Sequence, residues 1–418
     1  MASNGYANSG GNAGRRVLGL DVARGVAVVG MVMVHMVEPV HPVANEPWML
    51  TAVLASPHGR ALMLFLAVSG ATVAITARWS TKPVCEQRSW LVSRGAVLFV
   101  IGAALRPLFE SEVLTAYLGY MLLAALLVTL SQRGLFAVGV VLVIVGPSTV
   151  WLAETIWPIM RSPEFAGHSV LTWQWLTDTL VFGPYALVRG AGVFVLGMAI
   201  GKGGLKRGPQ LGRIFAAALI VAAVTLVGQE LLESRPYDGV DIRRSLVEAE
   251  ARPAPDHVVI ETVRPTAQLS VAGHSGTIAS IIFGSAIAVS ILSATLLLSQ
   301  RFPKLVRWVQ PLGRVGLSVY VALALWVGLA PREWRAMPTV GAIEIILFVA
   351  VATLASTLWL RRWSNGPLEA LTNAASGRSS PVLARVICSH CAQRDHAAEA
   401  SELARSGRAA RTAVAGEN

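Results

Sequence analysis

The chain has 418 residues, of which 54% are hydrophobic and only 14% are charged, and its mean hydropathy is +0.57. These values lie outside the range of ordinary soluble domains and predict a polytopic membrane protein. The net charge of +11 comes mostly from lysines and arginines in short loops between apolar segments. That distribution is a topology signal, and we expect no nucleic-acid partner.

Ten apolar segments are long enough to span a bilayer, so we expect an all-α membrane protein of about ten transmembrane helices. The segments are Val17–Val37, Arg60–Ala77, Leu91–Leu108, Leu114–Leu130, Leu135–Leu152, Phe182–Ile200, Ile214–Leu231, Ile278–Leu298, Val315–Leu329 and Val340–Leu360. Residues 15–374 then form one transmembrane domain. We interpret residues 1–14, which lack the features of a secretory signal, as a disordered cytosolic leader. The polar residues 375–418 are expected to be a disordered cytosolic tail.

Loop charge predicts the orientation of these segments. Lys and Arg collect in alternate loops, for example at Arg15 and Arg16, at Lys202 and at Arg361, whereas the loop 38–57 contains none. The positive-inside rule then places both termini in the cytoplasm, and we expect a multi-pass protein of the plasma membrane.

The first segment contains three ionisable residues: Asp21, Arg24 and His35. A charge near the bilayer centre costs roughly 3 kcal/mol or more, so such residues are read as functional by default. Arg24 and His35 are eleven residues apart, which places them within about 20° on one helix face and about 16 Å apart along its axis. The alternative is structural: Arg24 snorkels to the membrane surface, Asp21 pairs with it, and His35 ends the helix.

Most histidines fall at or beyond the predicted outer ends of the segments. His35, His58 and His274 can converge on one outward-facing pocket, where any of them can act as a general base. For His41 and His257, which lie in long loops, we favour a solvated surface position.

Arginines near the inner side have two interpretations. Arg24 and Arg314 can hold the phosphates of a cytosolic ligand, and Arg189, placed toward the middle of its segment, can meet a deeper part of that ligand. They can equally be interfacial anchors or members of structural ion pairs, which is the interpretation favoured for Arg94. Glu344, near the outer end of the tenth segment, is either paired with an arginine or part of the pocket.

The tail motif CSHC, at Cys388–Cys391, has the ligand types of a zinc site. A structural zinc site needs four ligands, and no second Cys pair completes this one. We therefore expect no metal.

Several stretches resemble the transmembrane acyltransferase superfamily, which includes the acyltransferase family 3 glycan O-acetylases and heparan-alpha-glucosaminide N-acetyltransferase. The segment LDVARGVAVVGMVMVH at Leu20–His35 is similar to the first helix of that group, with the Arg and His at the family 3 spacing. More of the chain is similar to its YeiB-like branch. Those stretches are HGRALMLFLAVSG at His58–Gly70, TAYLGYMLLAAL at Thr115–Leu126, GHSGT at Gly273–Thr277, QPLGRVGLSVYVA at Gln310–Ala322 and RRWSNGPLEAL at Arg361–Leu371.

The resemblance implies transfer of an acyl group, with acetyl favoured, from cytosolic acetyl-CoA or another acyl-CoA to an extracytoplasmic glycan or glycolipid. The heparan enzyme has its histidine in the loop after the first span, so His58 is an alternative to His35 as its counterpart. The implied catalytic residues are His35, His58 and His274; the implied CoA-binding residues are Arg24, Arg314 and Arg189; the implied supporting residues are Asp21, Arg60, Ser275, Tyr117 and Glu344.

Two other functions compete with acyl transfer. One is a transporter or flippase, in which the same buried polar residues form a substrate or proton path; the absence of an internal repeat counts mildly against it. The other is a membrane partner without enzymatic activity that has kept the fold. The expected partners are the lipid bilayer and the glycan or glycolipid acceptor, and a second copy of the chain is a further candidate.

Overall fold

The structure is a computed structural model of the whole chain. It describes residues 16–36, 57–109, 112–156, 172–182, 187–203, 208–233, 268–271, 275–329 and 338–387. All regular secondary structure in these ranges is helical, which confirms the predicted all-α class. Predicted features outside them, among them His274, the leader and the CSHC motif, lie beyond the described residues.

Eleven longer helices make up most of the described chain. They are α1 (Leu18–Met36), α2 (Ala61–Trp79), α3 (Val84–Leu105), α4 (Tyr117–Leu127), α5 (Gln132–Ile156), α6 (Leu187–Gly203), α7 (Gly208–Glu233), α8 (Ile278–Arg301), α9 (Gly316–Leu329), α10 (Pro338–Arg362) and α11 (Pro367–Ile387). Shorter helical pieces span Trp173–Thr177, Asp178–Phe182, Pro303–Val306 and Gln310–Arg314.

Helices α1 to α10 coincide with the ten predicted apolar segments. Within the described ranges, seven of them are long and apolar enough to cross a membrane: α1, α2, α3, α5, α7, α8 and α10. Helix α4 has 11 residues and α9 has 14, shorter than the roughly 20 that a straight span needs. A multi-pass membrane protein is therefore supported, and the count of about ten spans stays a prediction.

The bundle has two ends, which we call the Arg24 end and the His58 end. Helices α1 and α2 run in opposite directions, because Gly30 in the second half of α1 packs on Ala61 at the start of α2. Helix α8 also opposes α1, since its last turns lie against Gly19. The start of α1 and the ends of α2 and α8 thus meet at the Arg24 end.

Glycines allow α2 and α6 to pack with their backbones in contact. A Cβ atom on Gly197 or Gly201 would overlap the carbonyl oxygen of Ala67 or Ala71, respectively. Small residues at such positions are a common means of close helix packing in membranes. Because both helices advance four residues between the two contacts, α2 and α6 run parallel, and the start of α6 lies at the His58 end.

Helix α11 differs from the prediction that residues after 375 are disordered, because it continues to Ile387. It packs along α3, and Arg94 Nη1 in α3 donates a hydrogen bond of 2.7 Å to Asn373 Oδ1. Thr372 and Ser376, one turn apart on α11, are fully buried. Their hydroxyls bond back to carbonyls of the same helix, so this polar sequence can be buried without losing hydrogen bonds.

Candidate functional site

The Arg24 side chain extends from α1 to neighbouring helices inside the bundle. Its guanidinium donates to Thr72 Oγ1 on α2 at 2.8 Å and to the Gly313 carbonyl at 3.2 Å, and it lies 3.6 Å from the Asp21 carboxylate. Gly316 makes room, since a Cβ there would approach Arg24 Cδ to 3.0 Å. The pairing with Asp21 matches the structural alternative from the sequence. Snorkelling does not, because the side chain reaches across to α2.

Helix α2 presents a polar stripe to this arginine. Ser69 and Thr72 are three residues apart and therefore neighbours on one helix face. The Ser69 hydroxyl is 3.0 Å from the Tyr117 hydroxyl on α4, and Phe65, one turn earlier on the same face, packs edge-on against the Tyr117 ring. A line of polar contacts thus runs inside the bundle from Arg24 through Thr72 and Ser69 to Tyr117.

His58 lies in the turn that precedes α2, and apolar residues separate it from the polar stripe. His58 is only 9% exposed. At about 1.5 Å per residue, it stands about 20 Å along the axis from Thr72. Gly59 beside it has a φ of 68°, a left-handed conformation that glycine adopts without strain. The Arg60 guanidinium packs over the Phe283 ring, 5.0 Å from its centroid.

Arg189 is at the His58 end, not near the middle of its span as the sequence predicted. The predicted span began at Phe182, whereas α6 begins at Leu187, two residues before Arg189. The side chain is 5% exposed and packs against Gly276, where a Cβ would lie 2.7 Å from the guanidinium carbon. Gly276 has a φ of 65°, so glycine is favoured there for two reasons. The predicted position is wrong, and the predicted role in CoA binding stays a prediction.

Ser275 belongs to the cap of α8 at the same end. Its hydroxyl lies 3.2 Å from Thr277 Oγ1, and the Thr277 hydroxyl accepts a hydrogen bond from the Ser280 amide. Thr277 also donates to the Ser270 carbonyl at 2.5 Å. The residues Ser275–Thr277, which contact Arg189 through Gly276, are therefore held in place by the N-cap of α8.

His35 ends α1 at the His58 end and contacts aromatic rings. Its imidazole is perpendicular to the Phe109 ring, with 4.8 Å between centroids, and Phe109 in turn packs on Tyr320. The Tyr320 hydroxyl accepts a hydrogen bond from the Val113 amide at 3.1 Å. Phe109, which follows α3, and Tyr320 on α9 thus form an aromatic cluster beside His35.

Two carboxylates that could have joined the site have structural partners. Buried Glu112 lies 3.7 Å from Arg106 and accepts hydrogen bonds from the amide and hydroxyl of Thr115. Glu344 on α10 accepts a hydrogen bond from the indole of Trp326 on α9, and no arginine in the described ranges pairs with it. Glu344 therefore joins α9 to α10 and does not contact the stripe on α2.

A second group of charges adjoins Arg24. Arg94 is close enough to Arg24 and Glu369 to interact with both electrostatically. Glu369, near the start of α11, caps the N-terminus of α9: it accepts hydrogen bonds from the amides of Leu317 and Ser318 at 2.7 and 3.2 Å. Negative charge is favourable at a helix N-terminus. The sequence indicated neither the Arg94 interactions nor the cap on α9, because the partners in each are more than fifty residues apart.

Arg314 is at the Arg24 end, as predicted, but it binds a different part of the chain. Its Nη2 donates to the Ser364 carbonyl at 2.8 Å, and Arg16 Nη2 donates to the same oxygen at 3.2 Å. Burial lowers the pKa of Arg314, the charge of Arg16 lowers it further, and Asp21 raises it. Arg314 is thus next to the Arg24 group and faces the turn after α10.

Comparison with known proteins adds one similarity. Residues 258–378 match the model of a family described as a protein of unknown function (DUF418), a family of membrane proteins. The match covers less than a third of the chain and contains α8, α9, α10 and the first half of α11. It includes three of the stretches that resemble the YeiB-like branch, and it is consistent with that branch. No curated protein matches the chain.

Proposed function

We propose that the protein is a membrane acyltransferase that moves an acyl group from cytosolic acyl-CoA to an acceptor on the other side of the membrane. The observation that supports this proposal is the placement of Arg24 and His58 at opposite ends of the bundle, with the hydroxyls of Thr72, Ser69 and Tyr117 in the interior beside Arg24. Acyl transfer across a bilayer needs an anion-binding group on the donor side and a base on the acceptor side. Arg24 and His58 are candidates for these two roles, and Thr72, which binds Arg24, is about 20 Å along α2 from His58. That separation is of the order of an extended acyl-pantetheine arm.

In this proposal His58 is the base and Arg24 holds the donor. The His58 imidazole takes the proton of an acceptor hydroxyl or amine as that group attacks the thioester carbonyl carbon. The carbon–sulfur bond then breaks, and the proton returns from the imidazolium to the CoA thiolate. Ser69 and Tyr117 offer hydroxyl donors along the arm, and Arg189 and Arg60 provide positive charge near the developing oxyanion. His35 shapes the pocket through its contact with Phe109.

The proposal is tested with purified protein in proteoliposomes, radiolabelled acetyl-CoA and an envelope extract as acceptor. We expect His58→Ala to lower label transfer about 100-fold or more, which is the usual contribution of a general base. The matched control is His257→Ala, a histidine for which a surface position is expected, and it should keep full activity. Both variants should retain the thermal stability of the parent protein.

Transfer that persists in the His35→Ala/His58→Ala double variant would rule out histidine catalysis by this site. Unchanged CoA binding in Arg24→Ala would remove that arginine from the donor site.

A transporter is the second candidate, because a polar stripe through an apolar bundle also suits a substrate path. Flux of an acceptor lipid or of protons across the proteoliposomes without any acyl donor would favour this function. In that case Thr72→Val, which removes a hydroxyl from the path and keeps its volume, should slow flux.

A further inference from the structure

Two arginines at the Arg24 end converge on a single uncharged acceptor. Arg16, just before α1, and Arg314 both donate to the Ser364 carbonyl, and Arg16 also donates to Asn365 Oδ1. A carbonyl oxygen accepts hydrogen bonds but neutralises no charge. The two guanidiniums therefore leave a concentrated positive charge beside the turn that joins α10 to α11.

The carboxylates near this turn are engaged elsewhere. Asp21 pairs with Arg24 and acts on Arg314 only beyond salt-bridge distance, and Glu369 caps α9. Within the described ranges, Arg16 and Arg314 have no salt bridge. Two further exposed cations, Arg361 and Arg362, end α10 immediately before the turn.

Arg314 also has an unused donor. Its Nε is buried and has no hydrogen-bond partner among the described residues. A buried charged donor without a partner is unfavourable, so native structures rarely leave one unless water, an ion or a ligand supplies the acceptor. Capping of the α10 C-terminus explains the contacts with Ser364, but it does not use this donor.

The turn is held rigid by aromatic side chains. Trp359 and Trp363 stack with ring centroids 4.0 Å apart, and the Trp359 indole donates to the Asn365 carbonyl at 2.9 Å. The Trp363 ring is half exposed. Tryptophans of this kind lie at the level of the lipid head groups, where phosphate esters are concentrated.

We propose that Arg16, Arg314 and the Trp359–Trp363 stack form a binding site for a phosphate ester at the Arg24 end. The planar guanidinium fork matches phosphate oxygens. A monoester dianion would neutralise both arginines and a diester one of them, and either can accept from Arg314 Nε. The phosphate can belong to an acidic phospholipid or to a soluble nucleotide. The site rests on these side chains alone, so it stands whether or not the protein transfers acyl groups.

The test uses the full chain in nanodiscs of phosphatidylcholine. Two probes are titrated: phosphatidylglycerol incorporated in the disc, and adenosine 3′,5′-bisphosphate in solution. Binding is followed by the change in tryptophan fluorescence. We expect at least one probe to bind the parent protein and to bind Arg16→Gln/Arg314→Gln at least tenfold more weakly.

The matched control is Arg133→Gln/Arg213→Gln, which removes two exposed arginines from the same end, in the first turn of α5 and the second turn of α7. It should bind the probe as the parent does. Selective loss for phosphatidylglycerol identifies a lipid site, and selective loss for the bisphosphate identifies a nucleotide site.

The proposal fails if neither probe binds the parent protein. It also fails if both double variants lose binding equally, because the effect is then one of net charge. A third variant, Trp363→Phe, should reduce the fluorescence change, and an unchanged fluorescence response would remove the tryptophan stack from the site.

Discussion

At the scale of single residues, Arg24 shows how a charge is kept inside an apolar bundle. It sits six residues into α1, about 9 Å from the helix start. Its positive charge is compensated by Asp21, and two of its five N–H donors bond to Thr72 and the Gly313 carbonyl. A charge that is paired and hydrogen-bonded is tolerated at such depth, whereas an unpaired one is not.

This arrangement predicts a non-additive pair of substitutions. Arg24→Gln should lower the free energy of unfolding by about 3 kcal/mol, because it leaves the Asp21 carboxylate buried without a counter-charge. Asp21→Asn/Arg24→Gln should recover at least half of that loss, since the double variant buries no charge. The measurement is reversible unfolding in mixed micelles. A double variant that is less stable than Arg24→Gln would show that Arg24 is not the group that stabilises the buried Asp21 carboxylate.

At the scale of helices, the contact of α2 with α6 determines where Arg189 lies. The backbones approach closely at Gly197 and Gly201, and this parallel packing puts the start of α6 beside the start of α2. Arg189 is thereby brought to the end of the bundle that carries His58. The predicted position of this arginine toward the middle of its span was wrong, because a span predicted from hydropathy alone has no packing partner to fix its boundaries.

Matched glycine substitutions test this packing. Gly197→Ala should lower the free energy of unfolding by about 2 kcal/mol or more, because the added methyl overlaps the Ala67 carbonyl. Gly228→Ala in α7 is the control, since nothing lies within 4 Å of its added Cβ and alanine is the better helix former. Gly228→Ala should leave stability unchanged or raise it slightly. Equal effects of the two substitutions would contradict the close packing of α2 on α6.

At the scale of the whole molecule, the loop charges predict which end of the bundle faces the cytoplasm. Lys82 and Arg133 lie in or next to connections at the Arg24 end, as do Arg361 and Arg362. The loop 38–57, which follows the His58 end of α1, contains no Lys or Arg. The positive-inside rule therefore predicts a cytoplasmic Arg24 end.

Labelling of single cysteines decides the orientation. The background is Cys85→Ser/Cys388→Ser/Cys391→Ser, which removes all three native cysteines. Leu269→Cys, exposed at the His58 end, should react with a membrane-impermeant maleimide in intact cells. Lys82→Cys, exposed at the Arg24 end, should react only after the membrane is permeabilised. The reverse pattern would place the Arg24 end outside and remove the basis for a cytosolic donor at Arg24.

The sequence by itself determined the helical membrane class and the approximate positions of α1 to α10, but not α11. Apolar segments of bilayer length must form helices, because only then are their backbone groups satisfied in lipid. It also singled out Arg24, His35 and His58, since ionisable residues in or beside such segments stand out against their apolar surroundings.

The tertiary structure alone decided which of these residues share a surface. Ser69 and Thr72 became candidates only when Arg24 and Tyr117 were found against them on α2. Glu369 became a candidate only because α11 packs along α3 and brings this carboxylate near Arg94. The physical reason is that contacts between residues far apart in sequence depend on which helix faces pack together. Small residues such as Gly197 and Gly313 determine that packing through backbone contact, which leaves no periodic pattern in the sequence.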